Sequence, residues 1–171
     1  MRIVIYRIIW LSCRFLFKIL FRLEVEGSEN VPHQGGFIVV SNHVSHLDPI
    51  IVAICLKRPV HFMAKEELFK IPVFRFIISK FNAFPVRRGS FDRRAIQNSL
   101  KILSEEKILG MFPEGTRSTD GKLNEPHHGP ATFAYKTGVP IVPMGLIGTG
   151  EVLRKGTWLP KFKRIKVRIG K

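Results

Sequence analysis

Phe37-Ile38-Val39-Val40-Ser41-Asn42-His43-Val44-Ser45-His46-Leu47-Asp48-Pro49 is the stretch on which the fold turns. Its first four residues form an apolar, partly β-branched run closed by polar residues, the pattern of a buried strand. Asp48-Pro49 then marks a helix start, because the fixed φ of proline suits the first helical position and aspartate suits the position before it. His43 and Asp48 lie between the two elements, in a spacing of five. On a continuous helix five residues turn through about 140°, which would point the two side chains apart. A turn leading into a helix can instead fold the imidazole back towards the carboxylate.

Outward from this stretch, short β-like runs alternate with helical patterns from residue 27 onwards, which predicts an α/β fold. Strands are expected at 37–41, 60–64, 83–86, 108–112, 141–146 and 165–169, and helices at 49–56, 73–80, 91–106 and 131–137. The last strand alternates Ile165, Val167 and Ile169 with Lys166 and Arg168. Ser90 is placed to cap the third helix, with Asp92 in its first turn and Ile96, Leu100 and Leu103 along its buried side. The 139–144 segment, with prolines at 140 and 143, reads as a buried strand with restricted ends. The expected architecture is a single layered domain with a central, mostly parallel or mixed sheet flanked by helices. At 171 residues the chain fits one such domain, and a domain of that size buries roughly two-thirds of the surface its unfolded form exposes.

The amino-terminal segment 3–23 is strongly apolar but is interrupted by Arg7, Arg14, Lys18 and Arg22. Its longest charge-free run, 8–13, is too short to span a bilayer. At about 100° per residue the four cations fall on one side of a wheel, and Ile8, Trp10, Leu11, Phe15, Phe17, Ile19 and Leu20 cover much of the rest. Residues 1–23 are therefore expected to form an amphipathic membrane-associating helix that lies at the interface rather than spanning it, with residues 24–171 as the domain proper. A helix packed against its own domain fits the same pattern. A cleaved leader fits less well, because charges recur through the apolar stretch and no small-residue cleavage site follows. Lys plus Arg number 28 against 13 acidic residues, a net charge of +15, which calls for a polyanionic surface or substrate. Membrane phospholipid and nucleic acid both qualify. Cys13 and Cys55 sit in apolar segments and read as buried thiols of a reducing compartment rather than a disulfide.

The chemistry resides in two motifs that each follow a strand, and so belong at the carboxyl-end crevice of a layered sheet. An imidazole held through one ring nitrogen by a carboxylate has its other nitrogen free, and can take a proton from an alcohol as it attacks a thioester. No covalent acyl-enzyme is then required. The plainer alternative makes Asp48 a helix cap, Ser45 a turn closer and His43 a satisfied loop residue. A metal site built from His43, His46 and Asp48 with His127 and His128 matches no well-defined ligand spacing, and its basic surroundings would repel a cation. The second motif is Phe112-Pro113-Glu114-Gly115-Thr116-Arg117. A tight turn at Gly115 would aim Glu114 and Arg117 into one cleft, and the planar fork of arginine suits a phosphate.

The 42–48 segment resembles the NHxSxxD block, with its HX4D spacing, of the glycerolipid acyltransferase family, which includes the 1-acyl-sn-glycerol-3-phosphate (lysophosphatidic acid) acyltransferases. The resemblance continues in order through Met63-Ala64-Lys65-Glu66-Glu67-Leu68-Phe69, Ala83-Phe84-Pro85-Val86-Arg87-Arg88-Gly89, Phe112 to Ser118, and Val139-Pro140-Ile141-Val142-Pro143-Met144. It implies an acyltransferase in which His43 is the base and Asp48 its orienter. Glu114, Gly115 and Arg117 would help to bind the glycerol phosphate acceptor, and Lys65 and Arg88 would serve its phosphate. Taken alone, Lys65 and Arg88 read as solvated surface charges. Acyl-CoA or acyl carrier protein would be the co-substrate, with no cofactor and no metal. The product would be phosphatidic acid, made in phospholipid biosynthesis at the cytoplasmic face of a membrane. Glycerol 3-phosphate or another lyso-lipid would use the same machinery. A nucleic-acid binder, using the basic charge and the 14 phenylalanines, leaves five ordered blocks unexplained, so no nucleic-acid partner is expected. A non-catalytic peripheral membrane protein is the remaining alternative, although His43 and Asp48 are intact, and no Gly-x-Ser-x-Gly nucleophile site is present. Two departures from the family stand out. His127-His128-Gly129-Pro130 replaces a lysine-rich run before a glycine, making any phosphate contact there conditional on pH, and relatives usually continue past the final strand.

Overall fold

The structure, a computed structural model, describes residues 2–87, 89, 91–154, 156–157 and 159–171, and the side chains of all of these except 2–5, 73, 74 and 77. Helix α1 (Arg2–Leu20) leads to strand β1 (Glu24–Glu26), β2 (Phe37–Ser41), α2 (Asp48–Cys55), β3 (Val60–Lys65), α3 (Pro72–Lys80) and β4 (Phe84–Val86). Then follow α4 (Arg93–Ser104), β5 (Ile108–Met111), α5 (Gly129–Thr137), β6 (Ile141–Ile147), the short α6 (Thr149–Val152) and β7 (Lys166–Ile169). The strands form one mixed sheet in the order β1-β7-β6-β2-β5-β3-β4, parallel except where β7 runs against β6.

Period-two alternation divides the core between the two faces of the sheet. Phe37, Val39 and Ile108 face α1 and α2, where Phe17, Phe21, Ile51, Ile54 and Leu56 join them. Ile38 and Leu109 face α4 and α5 and pack with Leu103 and Phe133. Central strands buried on both faces read as unbroken apolar runs, which is why β2 was legible. Strand β6 differs from the reading of 139–144 as a buried strand. Val142, Met144 and Leu146 are buried, whereas Ile141 and Ile147, on the opposite face of the strand, are exposed.

All six expected strands form, with no end shifted by more than one residue. Strand β1 went unseen because Glu-Val-Glu offers a single apolar position. It pairs parallel with β7, where Glu24 faces Lys166 and Glu26 faces Arg168. Lys166 and Arg168 both reach the Glu26 carboxylate, and hydrogen bonding to Lys166 above all holds that carboxyl below its usual range. Charge pairing across the strands, rather than burial, defines this edge. Helix α4 is capped by Asp92 rather than Ser90, which lies outside the described residues. The Asp92 carboxylate accepts from the N–H groups of Arg94 and Ala95, both at 3.0 Å, as the side chain at the cap position should.

Helix α1 packs on the domain through one face. Trp10 Nε1 donates to the carbonyls of Ala53 at 3.1 Å and Leu56 at 2.9 Å, and Arg14 Nη1 donates to Ile54 O at 2.8 Å. These are the final carbonyls of α2, which have no partner within their own helix, so α1 supplies the cap. The Arg14 side chain is therefore turned inward onto α2. Phe17 and Phe21 complete the buried seam. On the opposite side Ile8, Leu11, Phe15 and Ile19 remain 58%, 59%, 68% and 59% exposed. No described helix is long and apolar enough to cross a membrane. Burial pushes the Cys55 thiol up to about 12, against the opposing charge of Arg14.

Gly110 lies in β5, where an added Cβ would stand 2.3 Å from the Phe62 ring and 2.8 Å from Val60 Cγ1. Gly110→Ala overpacks this site and should cost about 1–3 kcal/mol in chemical denaturation. A midpoint equal to wild type would show that the Phe62 ring yields freely.

Candidate active site

The site is assembled by strand register. β2 and β5 are adjacent and parallel, with Val40 opposite Met111. The chain three residues past each point therefore brings His43 beside Glu114, although 71 positions separate them in sequence. Two hydrogen bonds tie the turns together. His43 N–H donates to Glu114 Oε1 at 3.0 Å, and Ser118 N–H donates to His43 O at 2.8 Å. On the other flank Asn42 pairs with β6 like a strand residue. Its Nδ2 donates to Leu146 O at 2.9 Å, and its Oδ1 accepts from Leu146 N–H at 2.7 Å. The backbone of His43 is thus held from both neighbouring strands.

The side chain is held by Asp48. His43 Nδ1 lies 2.9 Å from Asp48 Oδ2, and the same oxygen accepts from the N–H groups of Val44 and Ser45 at 2.7 Å each. Asp48 is fully buried and begins α2; the cap position is Leu47, and no side chain caps that helix. Asp48 therefore bends back over the turn instead of serving as the cap. An oxygen that already accepts two backbone N–H groups acts as an acceptor, which assigns the hydrogen to Nδ1 and the lone pair to Nε2. Ser45, also fully buried, steadies the turn by donating to Leu153 O at 2.9 Å and accepting from Leu47 N–H at 3.2 Å. The imidazole stacks on Phe112 with centroids 4.1 Å apart, and Phe112 in turn stacks on Phe62. The ring can neither swing nor flip without breaking these contacts, and its side chain keeps 13% exposure.

Glu114 is 5% exposed, and both of its oxygens are engaged. Oε2 accepts from the N–H and the side-chain amide of Asn124, each at 3.0 Å, while Oε1 holds His43. The carboxylate thus staples the 118–124 loop to the imidazole turn. Gly115 adopts φ +65°, and the space a Cβ would occupy lies 3.1 Å from the His127 ring, so both conformation and packing call for glycine there. Arg117 lies close enough to His46 for its charge to act there. Burial first, then Arg117 and His43, hold the His46 imidazole below its ordinary range, with Asp48 pulling the other way. A cavity of about 380 Å³ opens beside this cluster, lined by Met63, Phe112, Glu114, Gly115, Thr116 and His127 among others.

His43, Asp48, Glu114 and Gly115 therefore converge, with Arg117 at their edge. Lys65 ends β3 beside Val86, a residue of the cavity lining, but is not itself part of that lining, and its ammonium pairs with Glu67 at 3.3 Å. Arg88 lies outside the described residues. Asn42, Phe112 and Ser118 stand in the quoted motifs without a role assigned to them, and Asn124 stands outside them; all four position the imidazole and its brace, roles that could not be read because each acts through a contact distant in sequence. Among the described residues no group of three or more His, Cys, Asp and Glu side chains is placed to hold a metal ion.

The profile of the family described as Acyltransferase matches residues 22–147, well over half of the chain, and the chain belongs to that family. A 1-acyl-sn-glycerol-3-phosphate acyltransferase of Bacillus subtilis is 34% identical over 139 residues, 78% of this chain and 68% of its own length. The chloroplastic 1-acyl-sn-glycerol-3-phosphate acyltransferase BAT2 of Brassica napus is 34% identical over 142 residues, 80% of this chain but 40% of its own. With a Borreliella burgdorferi relative the share is 54%, so the chain spans about half or less of several relatives it matches. The crystal structure of the 1-acyl-sn-glycerophosphate (LPA) acyltransferase PlsC from Thermotoga maritima superposes with a TM-score of 0.82 at 32% identity. It covers 99% of this chain, which spans 69% of PlsC.

Two outcomes follow from the geometry. In Glu114→Gln an amide must face either the His43 or the Asn124 donors, so one side loses its acceptor, at a cost of about 1–3 kcal/mol in denaturant titration; an unchanged stability would remove the staple. His46 should titrate below an ordinary imidazole by NMR. Since its folded value lies below the unfolded one, the unfolded chain takes up the proton more readily, and stability present above about pH 6.5 is lost as the pH falls through the folded value. His46→Gln should flatten that part of the acid loss.

Proposed function

We propose that this chain transfers a fatty acyl group from a thioester to the free hydroxyl of 1-acyl-glycerol-3-phosphate, giving phosphatidic acid. The observation that carries the reading is the buried Asp48 oxygen on His43 Nδ1 at 2.9 Å, which leaves Nε2 as the base beside the Glu114–Arg117 turn. Family membership and the activity named for the relatives support the same assignment. Nε2 accepts the hydroxyl proton as the oxygen attacks the thioester carbonyl. The tetrahedral intermediate then collapses, the C–S bond breaks, and the imidazolium returns its proton to the leaving thiolate. The donor is a thioester of coenzyme A or of acyl carrier protein, since the chemistry needs an acyl thioester.

Arg117 is assigned to the glycerol phosphate acceptor with Gly115, and Lys65 and Arg88 to its phosphate. Glu114 serves that site by holding its turn against His43. The exposed Ile8, Leu11, Phe15 and Ile19 stripe of α1, flanked by Arg7, Lys18 and Arg22, suits the interface of an anionic membrane, on its cytoplasmic face. Phospholipid biosynthesis is the setting that such a product implies.

Purified protein given lysophosphatidic acid and an acyl thioester should form phosphatidic acid. His43→Ala should lose turnover by about 10²- to 10⁴-fold, the contribution of a general base, while still folding. Full activity in that variant would end the proposal. Arg117→Ala should raise KM for the phosphorylated acceptor far more than for one lacking phosphate, and an equal loss with both would contradict its assignment. Glycerol 3-phosphate and other lyso-lipids, tested in parallel, identify the acceptor.

A further inference from the structure

A groove of about 770 Å³ runs between α1 and the segment that follows β3. Tyr6 and Ile9 of α1 form one wall. Phe69, at the end of the 3₁₀ segment Glu66–Lys70, and Phe76 of α3 form the other, and Lys70, Arg75 and Lys80 stand at its edge. Phe76 is 67% exposed and Ile71 46% exposed, and the Lys80 ammonium sits 5.2 Å from the centroid of the Phe76 ring. Neither α1 nor α3 contains an acidic residue. The nearest acids in sequence, Glu66 and Glu67, are engaged by Arg87 and Lys65. Ile8, which precedes Ile9 of the groove wall, begins the exposed stripe of α1.

We propose that this groove binds an anionic phospholipid of the membrane, which makes residues 69–80 a second lipid-contacting element beside α1. The inference rests on the membrane-facing reading of α1 and extends it to a site. Apolar walls with a cationic rim match an amphiphile whose chain lies against Ile9, Phe69 and Phe76 while its phosphate meets Lys70, Arg75 and Lys80. Aromatic side chains left in water at this size are costly to a monomer and are relieved by an acyl boundary.

The test uses the full chain with phosphatidylcholine vesicles and with vesicles containing phosphatidylglycerol. Arg75→Glu combined with Lys80→Glu should lower partitioning onto the phosphatidylglycerol vesicles on the order of tenfold or more, with little change on phosphatidylcholine. Phe15→Ser combined with Ile19→Ser should lower partitioning on both. If the α1 variant detaches while the charge reversal does not, the groove is overturned and the α1 reading stands; if neither detaches, both fail. In Phe76→Trp, brominated phosphatidylglycerol should quench emission beyond the loss seen with the parent protein. Absence of added quenching overturns the site, and this arm decides the matter should the charge-reversed protein fail to fold.

Discussion

The parallel pairing of β2 with β5 is the constraint from which the chemistry of this protein follows. Parallel strands emerge at the same edge of the sheet, so two segments separated by 71 positions leave side by side, and a buried carboxylate can accept the backbone N–H of the histidine next to it. That bond does more than link two loops. It places the His43 Cα between β5 on one flank and the Asn42 pairing with β6 on the other. A rigid sheet, rather than a loop, therefore sets the position of the imidazole.

Asp48 adds the orientation. A carboxylate five residues after a histidine would be out of reach on a helix, but here the helix begins at Asp48 itself, and the preceding turn wraps around one oxygen. Two backbone donors and the imidazole share that oxygen. The bonds that close the turn are thus the bonds that select the tautomer, and local folding and catalytic competence cannot be separated at this point. Phe112 contributes to both motifs, as the residue that opens the second and as the surface on which the imidazole of the first lies.

Helix α1 reconciles two readings that its sequence leaves open. One face caps the carbonyl end of α2 through Trp10 and Arg14 and buries Phe17 and Phe21 in the core, while the other leaves an apolar stripe in solvent. A helix that is apolar almost all round can be satisfied only if both sides find an apolar or capped environment. The packing of α1 on α2 accounts for one of them.

Much of the fold was legible in the chain itself. Buried central strands such as β2 announce themselves by unbroken apolar runs, and β7 by its alternation, because side-chain period and burial are local properties. The two motifs could be placed after strands on the same grounds, and the turn at Asp48-Pro49 by the stereochemistry of proline. Elements without a local apolar signature were not legible: the Glu-Val-Glu edge strand, defined by charges on β7, and the short α6. The partners of Glu114 could not be read either, since an acid in a turn looks like a ligand group until the register of β2 and β5 shows its two oxygens already taken by His43 and Asn124. Sequence by itself determined where the buried strands and the long helices form and where the two motifs stand, since these follow from residue type and spacing. Only the tertiary structure decided which of their side chains meet, because hydrogen bonds between strands distant in sequence are set by sheet order, and no local period records that order.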